Sequence, residues 1–279
     1  MAVYHTYTLF LFTKSDIKTT LIPVTILAIA GSPSYPSFHA LETLFWVWLH
    51  LLQFDVSNQT LDPEEDKKNK KDRPLPSGRL SHRAGVRLRW ILVPICWGYS
   101  YFYSYQVLWA SIALVALTAI YDELGFHSKH YILRNLVNAL GFAAFETGSA
   151  LVKSCDRMHL DSVEINSITL STCIFFTTIQ AQDFKDVNGD ASVGRKTLPI
   201  THPFAARVSV AMGMFGWCCV LAWIWEVEGS LLLYFCAISG YVAYRFLHFR
   251  TIEEHQISFY WYNVSFINVQ PFIPHWLTA

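Results

Sequence analysis

The sequence predicts an all-α, polytopic membrane domain of about nine transmembrane helices, one domain over residues 1–279. Three observations predict it. Hydrophobic residues make up 53% of the chain against 15% charged, and mean hydropathy is positive. Apolar residues also gather in runs near the about 20 residues that a helix needs to cross a bilayer. Polar and charged residues collect in a few short stretches between those runs.

Nine runs follow one another, at residues 17–32, 37–56, 85–103, 104–121, 131–154, 162–181, 203–225, 229–249 and 256–277. Two are the weakest by composition. Residues 162–181 carry Glu164, Asn166 and many hydroxyl side chains, and the last run holds Asn263, Asn268, Gln270 and two prolines. Ahead of the first run, TYTLFLFTKSDIK has neither a basic n-region nor a small-residue cleavage site, so it reads as an interfacial helix rather than a signal peptide. No soluble domain or low-complexity linker is predicted.

The loops orient the spans, because Lys and Arg accumulate on the cytoplasmic side. After the second span come Lys67, Lys68, Lys70, Lys71, Arg73, Arg79 and Arg83, and later even-numbered connections carry Lys129, Lys185, Arg195, Lys196 and Arg250. The odd connections are nearly bare apart from Lys153 and Arg157. The predicted location is therefore a multi-pass protein, in the endoplasmic reticulum, with these basic loops facing the cytosol. A cytosolic Asn58-Gln59-Thr60 is then no glycosylation site. The six cysteines lie in or beside apolar segments without metal-type spacing and read as reduced packing residues. Zero net charge excludes little, and nothing predicts a nucleic-acid or obligate protein partner.

Chemistry concentrates at two acidic clusters. Asn58, Asp62 and Asp66 stand at i, i+4 and i+8, and Asp183, Asp186 and Asp190 at i, i+3 and i+7, so helices would align each set on one face. Both fall on the same predicted side and both are trailed by Lys and Arg. Isolated charges beside a span are commonly solvated, but two such faces suit a hard cation such as magnesium, which takes carboxylate and phosphate oxygens. The pattern points to paired Mg2+ sites clamping a diphosphate. A transporter would place carboxylates near the midplane on repeated broken helices, which the sequence lacks.

The run Asn58-x-x-x-Asp62-x-x-x-Asp66, Asn69, Arg73-Pro74-Leu75-Pro76-Ser77-Gly78, followed four spans later by Asp183-x-x-Asp186-x-x-x-Asp190 and Gly194-Arg195-Lys196-Thr197-Leu198-Pro199, resembles the UbiA superfamily of intramembrane prenyltransferases. The resemblance covers nearly the whole chain and implies a helical bundle around a central cavity that binds a prenyl diphosphate within the lipid bilayer. It also implies that Asn58, Asp62 and Asp66 hold one magnesium and Asp183, Asp186 and Asp190 the other, the five Asp being the catalytic set. Lys70, Arg73, Arg195 and Lys196 would meet the diphosphate or steady the acids, with Lys129 a further candidate. Two positions depart from the family pattern: Gln59 stands where a second acid is usual, and Lys67 where Arg often follows.

Such a site ionises an allylic diphosphate. The cation is then captured by an acceptor, as in aromatic or quinone-precursor prenylation, or by its own distant double bonds. The block around Gln59 resembles the fungal branch of membrane-bound terpene cyclases, so a cyclase leads, with geranylgeranyl diphosphate favoured over farnesyl, and a prenyltransferase follows. Trp90, Trp97, Tyr99, Tyr101, Phe102, Tyr103, Tyr105 and Trp109 would either steady the cation or form interfacial belts. Glu146, an intramembrane carboxyl, is either a further functional candidate or a protonated, hydrogen-bonded packing residue, and Gln180 and Gln182 would orient the second acidic cluster.

Overall fold

The computed structural model describes residues 2–31, 37–61, 63, 66, 67 and 70–269, and among them every regular element is helical. The helices are α1 (Ala2–Thr13), a π-helical turn (Ile17–Leu21), α2 (Ile22–Gly31), α3 (Ser37–Leu61), α4 (His82–Tyr101), α5 (Tyr105–Asp122), the short α6 (Phe126–Lys129) and α7 (Tyr131–Lys153). They continue as α8 (Ser162–Thr178), a 3-10 segment (Ile179–Gln182), α9 (Asp183–Ser192), the short α10 (Leu198–Thr201), α11 (Pro203–Ile224), α12 (Gly229–His248) and α13 (Ile252–Val269). Among the described residues, four helical stretches are long and apolar enough to cross a membrane: Tyr105–Asp122, Ser162–Ser192, Pro203–Ile224 and Gly229–His248.

Local chemistry sets the boundaries. Ser81 and Ser104 cap α4 and α5 through the amides of Ala84 and Val107, and Asp161 with Glu164 forms a reciprocal capping box at the start of α8. That box accounts for the carboxylate that weakened 162–181 as a span. The hydroxyls that diluted it are also satisfied within the helix, as Ser167, Thr169 and Thr172 donate to the carbonyls of Val163, Ile165 and Ile168. Polarity spent on the helix's own backbone does not oppose insertion.

Two packed halves result. One gathers Val24, Trp46, Leu51, Leu114 and Phe145 from α2, α3, α5 and α7, and the other Phe184, Val210, Val242, Phe246 and Tyr262 from α9 and α11–α13. Trp46, fully buried, shows how tight the first half is: a Cβ on Gly148 of α7 would lie 2.1 Å from its ring, so only glycine admits this crossing. The cysteines among these helices are all free.

Candidate active site

The second acidic motif sits towards the end of a helical stretch, Ser162–Ser192, that is long and apolar enough to cross a membrane. From Ser162 to Asp183 is roughly 30 Å of helix, the thickness of the hydrocarbon core. There α8 tightens into the 3-10 segment and reopens as α9, which carries Asp183, Asp186 and Asp190 on successive turns. Gly194 ends α9 in the left-handed region at φ 77°. The Arg195 amide then returns to the Asp190 carbonyl at 2.9 Å and that of Gly194 to Ala191 at 3.2 Å, the Schellman pattern. This turn brings the Arg195 guanidinium onto the Asp190 carboxylate at 3.0 Å.

Asp183 is gripped by an arginine that no motif contains. Arg134, at the start of α7, donates to its Oδ1 from Nη2 at 2.8 Å and from Nε at 3.2 Å, and from Nη1 to the Tyr121 hydroxyl and the His127 carbonyl. All of these groups except His127 are buried. The remaining oxygens, Asp183 Oδ2 and Asp190 Oδ2, are buried and accept no hydrogen bond from the described residues. Asp186 is paired with its neighbour Lys185.

The first motif is distributed differently. Asn58, on α3, donates to Asp122 Oδ1 at 3.2 Å, while the Ser57 hydroxyl donates to the other oxygen of that carboxylate at 3.0 Å. Asp66 is buried and chelated by Arg73 Nη1 at 2.9 and 3.0 Å. Asp62 lies outside the described residues. Burial opposes the charge on Arg73, but Asp66 and Asp16 outweigh it and hold its pKa above the ordinary value. Lys70 has the opposite balance. Burial first, then Arg73, pushes its ammonium below the ordinary lysine range against the pull of Asp186, and its side chain makes no hydrogen bond or ion pair among the described residues.

The two motifs meet at two cavities. Lys70 and Arg73 of the first share a polar cavity of about 720 Å³ with Asp186 of the second, together with Lys14, Lys18 and Lys185. Asn58 and Arg195 share a smaller one of about 260 Å³ with Asp122, Glu123 and His127. Lys129 and Lys196 are exposed and line neither, Lys129 resting over the Phe126 ring. Beside the second motif, a narrow apolar pocket of about 60 Å³ is walled by Phe54, Tyr121, Phe142 and Phe145, and Tyr121 joins it to the Arg134–Asp183 pair.

Those four aromatics are not the ones the sequence singled out. Trp90, Trp97, Tyr101, Phe102, Tyr105 and Trp109 point outward, in keeping with belts. Gln180 ties Asn135 of α7 to Ser209 of α11 rather than an acid, and Glu146 is buried against Ser171. Arg134 and Asp122 were missed for want of a motif. The available signal was ionisable residues inside or at the end of an apolar run.

The donor set fits a hard divalent cation. Among the described residues no three Asp, Glu, His or Cys form a ready-made metal cage. Magnesium does not require one, since it commonly takes one or two carboxylates and completes its shell with phosphate and water. The two unpaired oxygens of Asp183 and Asp190 are carboxylates of that kind.

The model of the UbiA prenyltransferase family matches residues 20–267. The fumagillin β-trans-bergamotene synthase of Aspergillus fumigatus is 30% identical over 96% of this chain and 92% of its own. A diterpene cyclase of Hericium erinaceus is 28% identical over 84% and 78%. Among solved structures, a UbiA homologue from Archaeoglobus fulgidus bound to GPP and Mg2+ superposes with TM-score 0.69 at 12% identity, covering 94% of this chain and 98% of that one.

Proposed function

Since the chain belongs to the UbiA prenyltransferase family, we propose that this integral membrane enzyme is a terpene cyclase, ionising a prenyl diphosphate and closing the cation into a hydrocarbon ring. The observation that carries the reading is the 30% identity to a bergamotene synthase along nearly the whole chain. We read the fold as nine crossing helices about a central cavity, in the endoplasmic reticulum, with both motifs at the cytosolic face.

The diphosphate enters the polar cavity, where Lys70, Arg73 and Lys185 meet its oxygens; Lys70, half-buried with no ion pair among the described residues, gains most from an arriving anion. Arg134 and Arg195 hold Asp183 and Asp190 so that one oxygen of each stays available to a metal. Magnesium held there, and by Asn58, Asp62, Asp66 and Asp186 as the diphosphate arrives, would supply positive charge to offset that developing on the leaving group. Lys129 and Lys196, both exposed, would act only on the approaching diphosphate.

The C1–O bond breaks with its electron pair leaving on the diphosphate. The allylic cation is then attacked by a distant double bond of its own chain, and loss of a proton beside the last cation restores an alkene. The prenyl chain lies towards the apolar pocket, widening it, where the faces of Tyr121 and Phe142 favour positive charge and water is excluded.

Membranes containing the protein, incubated with geranylgeranyl or farnesyl diphosphate and magnesium but no acceptor, are expected to yield a cyclic hydrocarbon in a hexane extract. Product that forms only with an aromatic acceptor and carries its mass would establish a prenyltransferase instead.

A further inference from the structure

The family match begins at residue 20, yet much of the wall of the polar cavity comes from before that point. Phe10, Leu11, Lys14, Ser15 and Asp16, from the end of α1 and the turn after it, line it opposite Asp186. Four fastenings hold this segment down. Arg79 lies over the rings of Tyr4 and Tyr7 at 4.3 and 5.1 Å, Lys14 pairs with Asp72 at 3.1 Å, and Arg73 donates to Ser15 at 3.3 Å.

The fourth explains the departure at Gln59. Its buried Nε2 donates to the Phe12 carbonyl at 3.0 Å, one of the carbonyls that the end of α1 leaves without an intrahelical partner. An acid in this place would set a carboxylate oxygen against a carbonyl oxygen. Packing of α1 on the first motif therefore requires an amide.

We propose that α1 and its following turn are a cap over the diphosphate cavity and that Gln59 is the positioning residue that seats it, keeping water from the cation. The inference rests on the cyclase reading for its chemical consequence. When the cap lifts, water adds to the allylic cation and loses a proton, giving a prenyl alcohol in place of the ring.

The test compares full-length Gln59→Glu with wild type in membranes supplied with geranylgeranyl diphosphate and magnesium, reading the ratio of alcohol to hydrocarbon. The ratio is expected to rise roughly tenfold, the size a lost buried hydrogen bond gives. Gln59→Met, which removes the donor without adding charge, is expected to match it. An unchanged ratio, or a shift confined to Gln59→Glu, overturns the cap. A second measurement is independent of product: Thr13→Cys, at a position with 0% exposure, should resist site-resolved thiol labelling and become labelled when combined with either Gln59 variant. Equal labelling in all backgrounds overturns the seating role. If wild type yields no hydrocarbon the cyclase reading fails, while the labelling still decides whether Gln59 seats α1.

Discussion

The two acidic motifs look alike in sequence and are built on opposite plans. The second rides on one helix, its carboxylates steadied by Arg134 and Arg195 and two of its oxygens left unpaired. In the first, Asn58 answers Asp122 and Asp66 is taken on both oxygens by Arg73. Two carboxylate oxygens are thus available on one side, whereas on the other Asn58 and Asp66 are already engaged and would have to exchange partners to hold a metal. On the proposed function, α9 would nucleate the metal site and the first motif would complete it around the diphosphate.

Five measurements test the asymmetry between the two motifs. The largest effect is expected from chelation: EDTA should abolish turnover and added magnesium restore it, and full activity in the chelator would remove the metal from both motifs. Next, Asp186→Ala and Asp190→Asn should each lower kcat by about 10²- to 10³-fold, the usual result of removing a placed electrostatic group. Arg134→Met leaves Asp183 buried without its counter-ion, so about 3–5 kcal/mol of stability should be lost in detergent unfolding, more than for Arg73→Met. Asn58→Ala, by contrast, should cost only about 10- to 100-fold in activity, the range for groups that complete or orient a metal site. A loss equal to that of Asp186→Ala would erase the asymmetry.

The smallest effect is one of pH. Lys70 carries its charge below its depressed pKa and loses it as pH rises through that value, so diphosphate affinity should weaken on the alkaline side before an ordinary lysine would titrate. In Lys70→Arg the rise in KM should move to higher pH. An unmoved alkaline limb would take Lys70 out of the binding step.

Much of this was legible in the chain, and the reasons are local. Helical spacing put Asp183, Asp186 and Asp190 on one face, and Val193-Gly194-Arg195 carried the turn that returns Arg195 to Asp190. Apolar runs located several helices to within a few residues, 203–225 becoming Pro203–Ile224, while the end of the run 256–277 lies outside the described residues. Arg134 could not be assigned in the same way. Its partner is 49 positions away across the α7–α8 seam, and only packing reveals which buried carboxylate it meets. The pocket aromatics Phe54, Tyr121, Phe142 and Phe145 were not singled out, because Trp, Tyr and Phe in an apolar run look the same whether they face lipid or a pocket. Gln59 was visible as a departure, but its reason lay in a carbonyl 47 residues earlier.

The 3-10 segment has a consequence for how the chain tolerates change. Each of its residues advances about 120° around the axis against about 100° in an α-helix, so four residues rotate everything beyond them by roughly 80°. The segment therefore works as a fixed angular offset between the face of α8 that packs in the bundle and the face of α9 that presents carboxylates. Substitutions within Ile179–Gln182 leave that offset in place. Loss or gain of one residue there would swing Asp183, Asp186 and Asp190 together by about 120° and turn Asp186 away from the cavity with every side chain intact.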